Sequence, residues 1–536
     1  MNAIDPHYPY ASRRMVVHAN HGMVATSQHL AAQAGLTVLQ KGGNAVDAAI
    51  ATAAALTVLE PTANGIGSDA FAIILYDGKL YGLNASGSAP NMISLQAVKD
   101  RGYQEMPRFG WLPVTVPGTP MAWADLSKRF GKLPFAACLE PAIAYAETGY
   151  PLSPVLARGW NRAHTIFQKA LQGEEFRHWF DTFAPNGHAP AQGEIWRSPD
   201  HAKTFLRIAD SMAQDFYQGD LAEQIANFSI QHGGFLRKSD LESFRTEWVD
   251  PIKVTYRGYD VWELPPNGQG LIALMALNIL NNFSFAQKET IDTYHVQMEA
   301  IKLAFADGKM HITDPEFMKV SVAELLAEEF AKNRSREIND RALVPVPGRL
   351  PSGGTVYLAT ADQEGNMVSY IQSNYMGFGS GLVVPGTGIA LQNRGHSFSL
   401  DERAVNALEP NKRTYHTIIP GFLGKAGQPI GPFGVMGGYM QPQGHMQVVS
   451  NLIDFHMNPQ TALDAPRWQW IQGKKIAVEP EVPTAIVEGL IAKGHEIEVH
   501  EDRGEFGRGQ IILRDASTGV LTGGTESRTD SGIACW

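Results

Sequence analysis

Gly353-Gly354 stand immediately before Thr355, which opens the run Thr355-Val356-Tyr357-Leu358. A threonine hydroxyl is a weak nucleophile at neutral pH. It becomes effective when a neighbouring base takes its proton, and the threonine's own α-amine can be that base once the chain is cut on its N-terminal side. A free α-amine titrates at roughly 7.7–8.0, so it can accept and return a proton near neutrality. A flexible glycine before the cut lets the Gly354–Thr355 peptide bond distort toward attack by the threonine hydroxyl. The same residues also read as a plain loop entering a hairpin, and Gly-Gly-Thr alone does not choose between the two.

A hairpin must position this threonine. Val356 to Thr360 suits a strand, Glu364-Gly365-Asn366 is a turn signal, and Met367 to Ser373 returns as the partner strand. A turn centred near Glu364 sets Thr355 opposite Ser373, close enough for the two hydroxyls to interact. A one-residue slip would turn one of them away. In "NYMGFGSG", Gly377, Gly379 and Gly381 permit close backbone approach. Upstream, Glu337 to Gly354 opens with charged residues and holds Pro345, Pro347 and Pro351, so it is the stretch expected to be flexible.

The chain has 536 residues, of which 44% are hydrophobic, ample for a large core. A net charge of −10 with no basic stripe argues against nucleic acid and anionic membrane as partners. The N-terminal stretch lacks a signal peptide's apolar core, and Ala45 to Leu59 is too short to span a bilayer. Cys138 and Cys535 lie in no CxxC or Cys/His pattern, so neither a disulfide framework nor a zinc site is implied. A reduced, cytoplasmic location is expected.

Helical and strand patterns alternate, as in an α/β or α+β fold. "GGNAVDAAIATAAALTVLEP" reads as a buried helix ended by Glu60-Pro61, and "AFAIILYDGKLYGLNAS" as two strands around Asp77-Gly78. "LPPNGQGLIALMALNIL" is a loop entering an apolar helix, and "DPEFMKVSVAELLAEEFAKNR" a loop followed by one amphipathic helix. His495 and His500 in "HEIEVH" fall in a strand and make an improbable metal site. No GxSxG elbow or Walker loop is present. Asp47 and Asp69 read as structural or capping residues.

Several segments together resemble the γ-glutamyltransferase family of N-terminal nucleophile hydrolases. They are "GGNAVDAAIATAAALTVLEPTANGIGSDAFAIILYDG", "VPGTPMAWADLSKRFGKLPF", "YRGYDVWELPPNGQG", "TDPEFMKV", "TVYLATADQEGN", "GFGSG", "GIALQNRGHSFSL" and "NKRTYHTIIP", in that order. The resemblance runs from about His18 to the C-terminus. It implies an α+β fold, a four-layer αββα sandwich, and a proenzyme that cuts itself between Gly354 and Thr355. The products would be a large subunit, 1–354, and a small subunit, 355–536, of roughly 39 and 20 kDa in proportion to length, intertwined in one fold. Carried over, Thr355 is the nucleophile and its amine the base. Ser373 replaces a family threonine that bonds the nucleophile, and Gly437 and Gly438 in "VMGGYMQPQGH" are the oxyanion pair. Without the resemblance, Ser373 would read as an ordinary strand serine and the glycine pair as a tight turn. No cofactor or metal is implied, and dimerisation of the processed pair is left open.

The sequence departs from the family where a γ-glutamyl donor's amino-acid head is held. Ser86-Gly87 occupy the place of an Arg-Glu pair, Tyr375 that of an asparagine, and Ser397 that of the aspartate for the donor amine. The family's serine pair is deleted, leaving Tyr415-His416-Thr417. Two readings follow. One is a glutathione hydrolase-like enzyme for γ-glutamyl compounds with a rebuilt pocket. The other is an acylase for glutaryl or small oxo-acid amides, since "LQNRG" and "GGYMQPQGH" also resemble the cephalosporin acylase branch. Arg394 is the natural carboxylate partner, its planar fork suiting bidentate pairing, or else a structural ion pair. Tyr375, Ser397 and His416 are further substrate-binding candidates. Hydrolysis is the expected reaction, with acyl transfer open. An unprocessed, inactive binding homologue is the reading from another class.

Overall fold

The computed structural model describes residues 13–345 and 354–536. The stretch 346–353, part of the expected flexible approach to Thr355, lies outside the described residues. Two seven-stranded sheets form the centre. One runs β14-β2-β8-β9-β3-β4-β5, with β2 Gly22–Thr26, β3 Asp69–Tyr76, β4 Lys79–Ala85, β5 Glu247–Val249, β8 Gly354–Asp362, β9 Met367–Tyr375 and β14 Gly532–Cys535. The other runs β1-β13-β12-β11-β10-β7-β6, with β1 Val17–Ala19, β6 Ile252–Tyr256, β7 Tyr259–Glu263, β10 Gly421–Lys425, β11 Gln428–Met436, β12 Arg508–Arg514 and β13 Leu521–Thr525. Both sheets mix strands from either side of Thr355.

Alternation along the strands sorts the side chains into layers. Phe71, Ile73, Tyr357, Ala359, Ile371, Phe422 and Met436 fill the space between the sheets. Ala70, Ala72, Leu358, Val368 and Tyr370 face outward under α1 (His29–Gln40) and α2 (Ala45–Leu59). Val254, Val261, Phe433 and Val435 face outward under α3 (Gly270–Leu280), α4 (Ile291–His311) and α5 (Met440–Ile453). The result is a four-layer αββα sandwich.

Helix α2 is buried along its whole length, which its run of alanines permits. Asp47 is a cap, as expected. The Asn44 side chain accepts from the Val46 and Asp47 N–H groups, and Asp47 accepts the Asn44 N–H. The Asp77-Gly78 turn joins β3 to β4, both residues having positive φ. The single amphipathic helix expected after Ser321 is instead two short ones, Val322–Leu325 and Glu328–Ser335. Asn278 of α3 donates to the Leu326 carbonyl at 3.0 Å, satisfying a group that a continuous helix would have paired. The described part of the approach to Thr355 is tied down rather than loose. His295 contacts the Asn339 carbonyl, Glu299 accepts the Leu343 N–H, and the Lys493 carbonyl accepts the Ala342 N–H. Among the described residues, no helix is long and apolar enough to cross a membrane.

Candidate active site

The β8–β9 hairpin turns at Asp362–Asn366, where Asn366 N–H donates to the Asp362 carboxylate and Gly365 adopts φ +89°. Its register pairs Val356 with Gln372, and an irregularity then shifts Gly354 to Tyr375. Thr355 therefore meets Ser373, and its hydroxyl donates to Ser373 Oγ at 3.1 Å. Ser373 Oγ also accepts the Tyr375 N–H at 2.8 Å, which fixes the acceptor. Tyr375 reaches this geometry with φ +73°, a backbone conformation that a bulky residue adopts only under constraint. We expect Ser373→Ala to lower kcat a few-fold to about tenfold with KM little changed. One neutral hydrogen bond contributes about 0.5–1.5 kcal/mol. Steady-state kinetics on an anilide substrate measures it.

Ser373 pairs in turn with Asp69 on β3. Paired residues of adjacent strands share a face. Thr355, Ser373 and Asp69 thus form a row across three strands, on the same face as Tyr357, Ile371 and Phe71. Asp69, expected to be structural or capping, meets two of the residues singled out as substrate-binding candidates. His416 Nε2 lies 2.9 Å from Asp69 Oδ2, and Arg394 Nε lies 3.6 Å from the same oxygen. The Ile418 N–H donates to His416 Nδ1, so the ring carries its proton on Nε2 and donates it to Asp69. Burial, helped by Arg394, holds the His416 pKa well below the usual range, so the ring is neutral. Burial raises the Asp69 carboxyl to about 7, although Arg394 opposes the shift.

Arg394 is fully buried. Its Nη1 donates to Thr417 Oγ1 at 2.8 Å, and its guanidinium lies over the Tyr375 ring, 4.3 Å from the centroid. Nε and Nη2 make no hydrogen bond. The ion pair with Asp69 runs through Nε, and Nη2 is left without a partner. Ser397 sits at the end of the same short turn, its buried hydroxyl unbonded and its carbonyl accepting from Asn406. At the family's arginine position, Ser86 is absorbed in a polar cluster with Asn84 and Asn267. The Val116 carbonyl lies against Gly87, leaving no room for a side chain there.

Gly437 and Gly438 join β11 to α5 with φ of +144° and +58°. The Gly437 carbonyl accepts from Met440 N–H, so the Gly438 N–H of the same trans peptide points away from that turn. Gln269 anchors the other side. Its Nε2 donates to the carbonyls of Thr417 and Gly438, and Tyr415 donates to its Oε1. Tyr439, next along, lies near enough to Tyr375 that burial and that neighbour both raise its pKa, which places the glycine pair close to the residues after Ser373. The geometry is that of backbone donors at a helix N-terminus, suited to a developing oxyanion. A methyl group at Gly437 would sit 3.1 Å from Gly507 Cα in a strained backbone. We expect Gly437→Ala to lower kcat, because alanine keeps the N–H but strains the backbone that aims it. Full loss of such a donor, roughly 10²-fold, is the upper bound, as measured by single-turnover kinetics.

Sequence reasoning missed Gln269, Arg108 and Lys309. Arg108 forms no ion pair among the described residues, its Nε is buried without a hydrogen bond, and its charge acts on Tyr375. Burial lowers Lys309 to about 8, with its ammonium 5.2 Å from the Tyr439 ring centre. Gln269 lies within the quoted "PPNGQG" run, whereas no short motif marks Arg108 or Lys309. Elsewhere, His495 meets His295 and Glu299 in a buried cluster. Their atoms already bond one another, Lys302 and the backbone. His500 contacts the exposed Glu498 and Glu505 instead.

A family model for gamma-glutamyltranspeptidase matches residues 31–536. The chain belongs to the gamma-glutamyltranspeptidase family. A glutathione hydrolase-like proenzyme of Bacillus subtilis, YwrD, is 36% identical over 520 residues, covering 95% of this chain and 97% of the relative. An oxamate amidohydrolase proenzyme of Klebsiella pneumoniae is 34% identical, covering 96% and 98%. The crystal structure of a cephalosporin acylase from Bacillus halodurans superposes with a TM-score of 0.97 at 62% identity, covering 100% of this chain and 99% of that one. Gamma-glutamyltranspeptidase relatives thus include both hydrolases and acylases. The protein is an enzyme of this family.

Proposed function

We propose that this gamma-glutamyltranspeptidase relative cuts itself before Thr355 and then hydrolyses γ-glutamyl amides such as glutathione through an acyl-Thr355 ester. The observation that carries the reading is the Thr355–Ser373 hydroxyl pair, which shares one sheet face with the Asp69–Arg394 pair. In maturation, Thr355 Oγ1 attacks the Gly354 carbonyl, the peptide C–N bond breaks, and the hydroxyl proton passes to the nitrogen, which becomes the new α-amine. Water then hydrolyses the ester, leaving Gly354 as a carboxylate. Residues 1–354 and 355–536 stay together, because each supplies strands to both sheets.

In turnover, Thr355 Oγ1 attacks the amide carbonyl and its proton passes to the α-amine. The oxyanion takes hydrogen bonds from the Gly437 and Gly438 N–H groups. The C–N bond breaks as the leaving amine receives the proton. Water attacks the ester, the α-amine accepts and returns the proton, and the acid leaves. Arg394 takes the far carboxylate of the donor through Nε and Nη2.

A second reading, an acylase for glutaryl or small oxo-acid amides, draws on Ser86 and Gly87, where the family's carboxylate-binding arginine is absent. Arg394 suits either acid, since γ-glutamyl and glutaryl groups place a carboxylate equally far from the scissile carbonyl. The test is intact mass with N-terminal sequencing, followed by kcat/KM on γ-glutamyl and glutaryl p-nitroanilides. A small fragment beginning Thr-Val-Tyr-Leu, with the γ-glutamyl donor preferred, is expected. An uncut active chain would overturn the reading, and a glutaryl preference would select the acylase.

A further inference from the structure

We propose that Asp69 sets donor specificity: its carboxylate takes the ammonium group of an α-amino-acid acyl donor whose carboxylate Arg394 holds. This rests on the γ-glutamyl reading above and deepens it by assigning the residue that distinguishes a γ-glutamyl from a glutaryl group.

Three polar atoms lie fully buried at one place without a hydrogen bond: Asp69 Oδ1, Arg394 Nε and Arg394 Nη2. Buried polar groups are almost always paired, so an unused acceptor beside unused donors calls for a partner. The complementary ligand carries a charged donor and an anionic acceptor on one carbon, as an α-ammonium carboxylate does. A dicarboxylate such as glutarate would satisfy Arg394 and leave Asp69 Oδ1 unpaired.

Reach agrees. Asp69 lies two strands from Thr355, about 10 Å at the usual strand spacing. In an extended γ-glutamyl group the amine nitrogen is about 5 Å from the scissile carbon. The Thr355 and Asp69 side chains and one hydrogen bond close the remainder.

Charge agrees as well. The groups facing Asp69 are Arg394 from the 394–397 turn, the backbone N–H of Gly87, His416 and Arg413 from the following loop, and Tyr217 from the helix Gln214–Tyr217. His416 is neutral, and Arg413 is already paired with Glu247 at 2.6 Å. Once a donor carboxylate binds Arg394, two carboxylates share one arginine. An ammonium beside Asp69 restores the balance, and glutarate supplies none.

The experiment measures kcat/KM of the full-length, self-processed enzyme on γ-glutamyl and glutaryl p-nitroanilide, which differ only in that ammonium. In Asp69→Asn the γ-glutamyl/glutaryl ratio is expected to fall at least about tenfold. An equal loss on both substrates would overturn the proposal, showing that Asp69 only props Arg394 and His416. A second readout needs no variant. The wild-type ratio should rise with pH through about 7, because the protonated Asp69 carboxyl is neutral below that point and anionic above it. The Thr355 amine acts on both substrates and cancels in the ratio. A ratio flat between about pH 6 and 8 also overturns the Asp69 assignment. Glutaryl hydrolysis then leaves Thr355 amide chemistry standing. A wild type that hydrolyses no γ-glutamyl donor removes the γ-glutamyl reading together with this inference.

Discussion

Thr355→Ala is expected to leave a single 58.5 kDa chain with no measurable amidase activity. The variant loses the hydroxyl that attacks the Gly354 carbonyl, so no new α-amine is released. It also loses the atom that would carry the acyl group. Nucleophile and base disappear in one substitution, and backbone oxyanion donors alone retain little catalysis. The fold should survive. Ser373 keeps its bond from the Tyr375 N–H, so the change costs about 1 kcal/mol, and the Tm should move by no more than about 3 °C. Thr355→Ser, which keeps a hydroxyl, should still mature and turn over slowly. Intact mass, a thermal melt and an anilide assay on the three proteins settle the matter. Cleavage or turnover in the alanine variant would mean another nucleophile.

The second large effect is expected at Arg394. Arg394→Gln should lower kcat/KM for γ-glutamyl and glutaryl anilides by roughly 10²–10⁴ relative to a butyryl anilide, which has no far carboxylate. Two charge-assisted hydrogen bonds, each contributing about 1.5–3 kcal/mol, account for that range. A purely structural arginine would depress all three substrates together, so the ratio carries the test. Stability supplies a second check. Arg394 lowers the Asp69 carboxyl against a burial effect that already holds it near 7. Without the guanidinium the carboxyl rises further and stays protonated in the folded enzyme near neutrality. The unfolded chain binds no proton there, so stability must fall as pH rises through this window. The Tm of Arg394→Gln should therefore drop more between about pH 6 and 8 than that of the wild type.

The Thr355–Ser373 hydroxyl pair was legible because its parts are local. Thr355 and Ser373 belong to one hairpin, and a turn signal of three residues sets their register. The Asn44/Asp47 cap and the Asp77-Gly78 turn were readable for the same reason, each being a short-range hydrogen-bond or backbone pattern. The two helices after Ser321 were not separable in sequence, since the break depends on Asn278, more than forty positions away.

By itself, then, the sequence determined the family, the αββα class and the threonine with its hydroxyl partner. Ordered motifs and short-range geometry need no knowledge of distant neighbours. Only the tertiary structure decided how the candidate residues meet. Asp69, Gln269, Arg394 and His416 come from four separated segments, and although Arg394 and His416 stood out in the sequence, their contact with Asp69 did not. What makes Asp69 more than a strand residue is that a third strand lays it beside Ser373 while a distant turn and loop bring Arg394 and His416 against it. Burial then leaves Asp69 Oδ1 and Arg394 Nη2 without a hydrogen bond, and burial is a property of the packed chain.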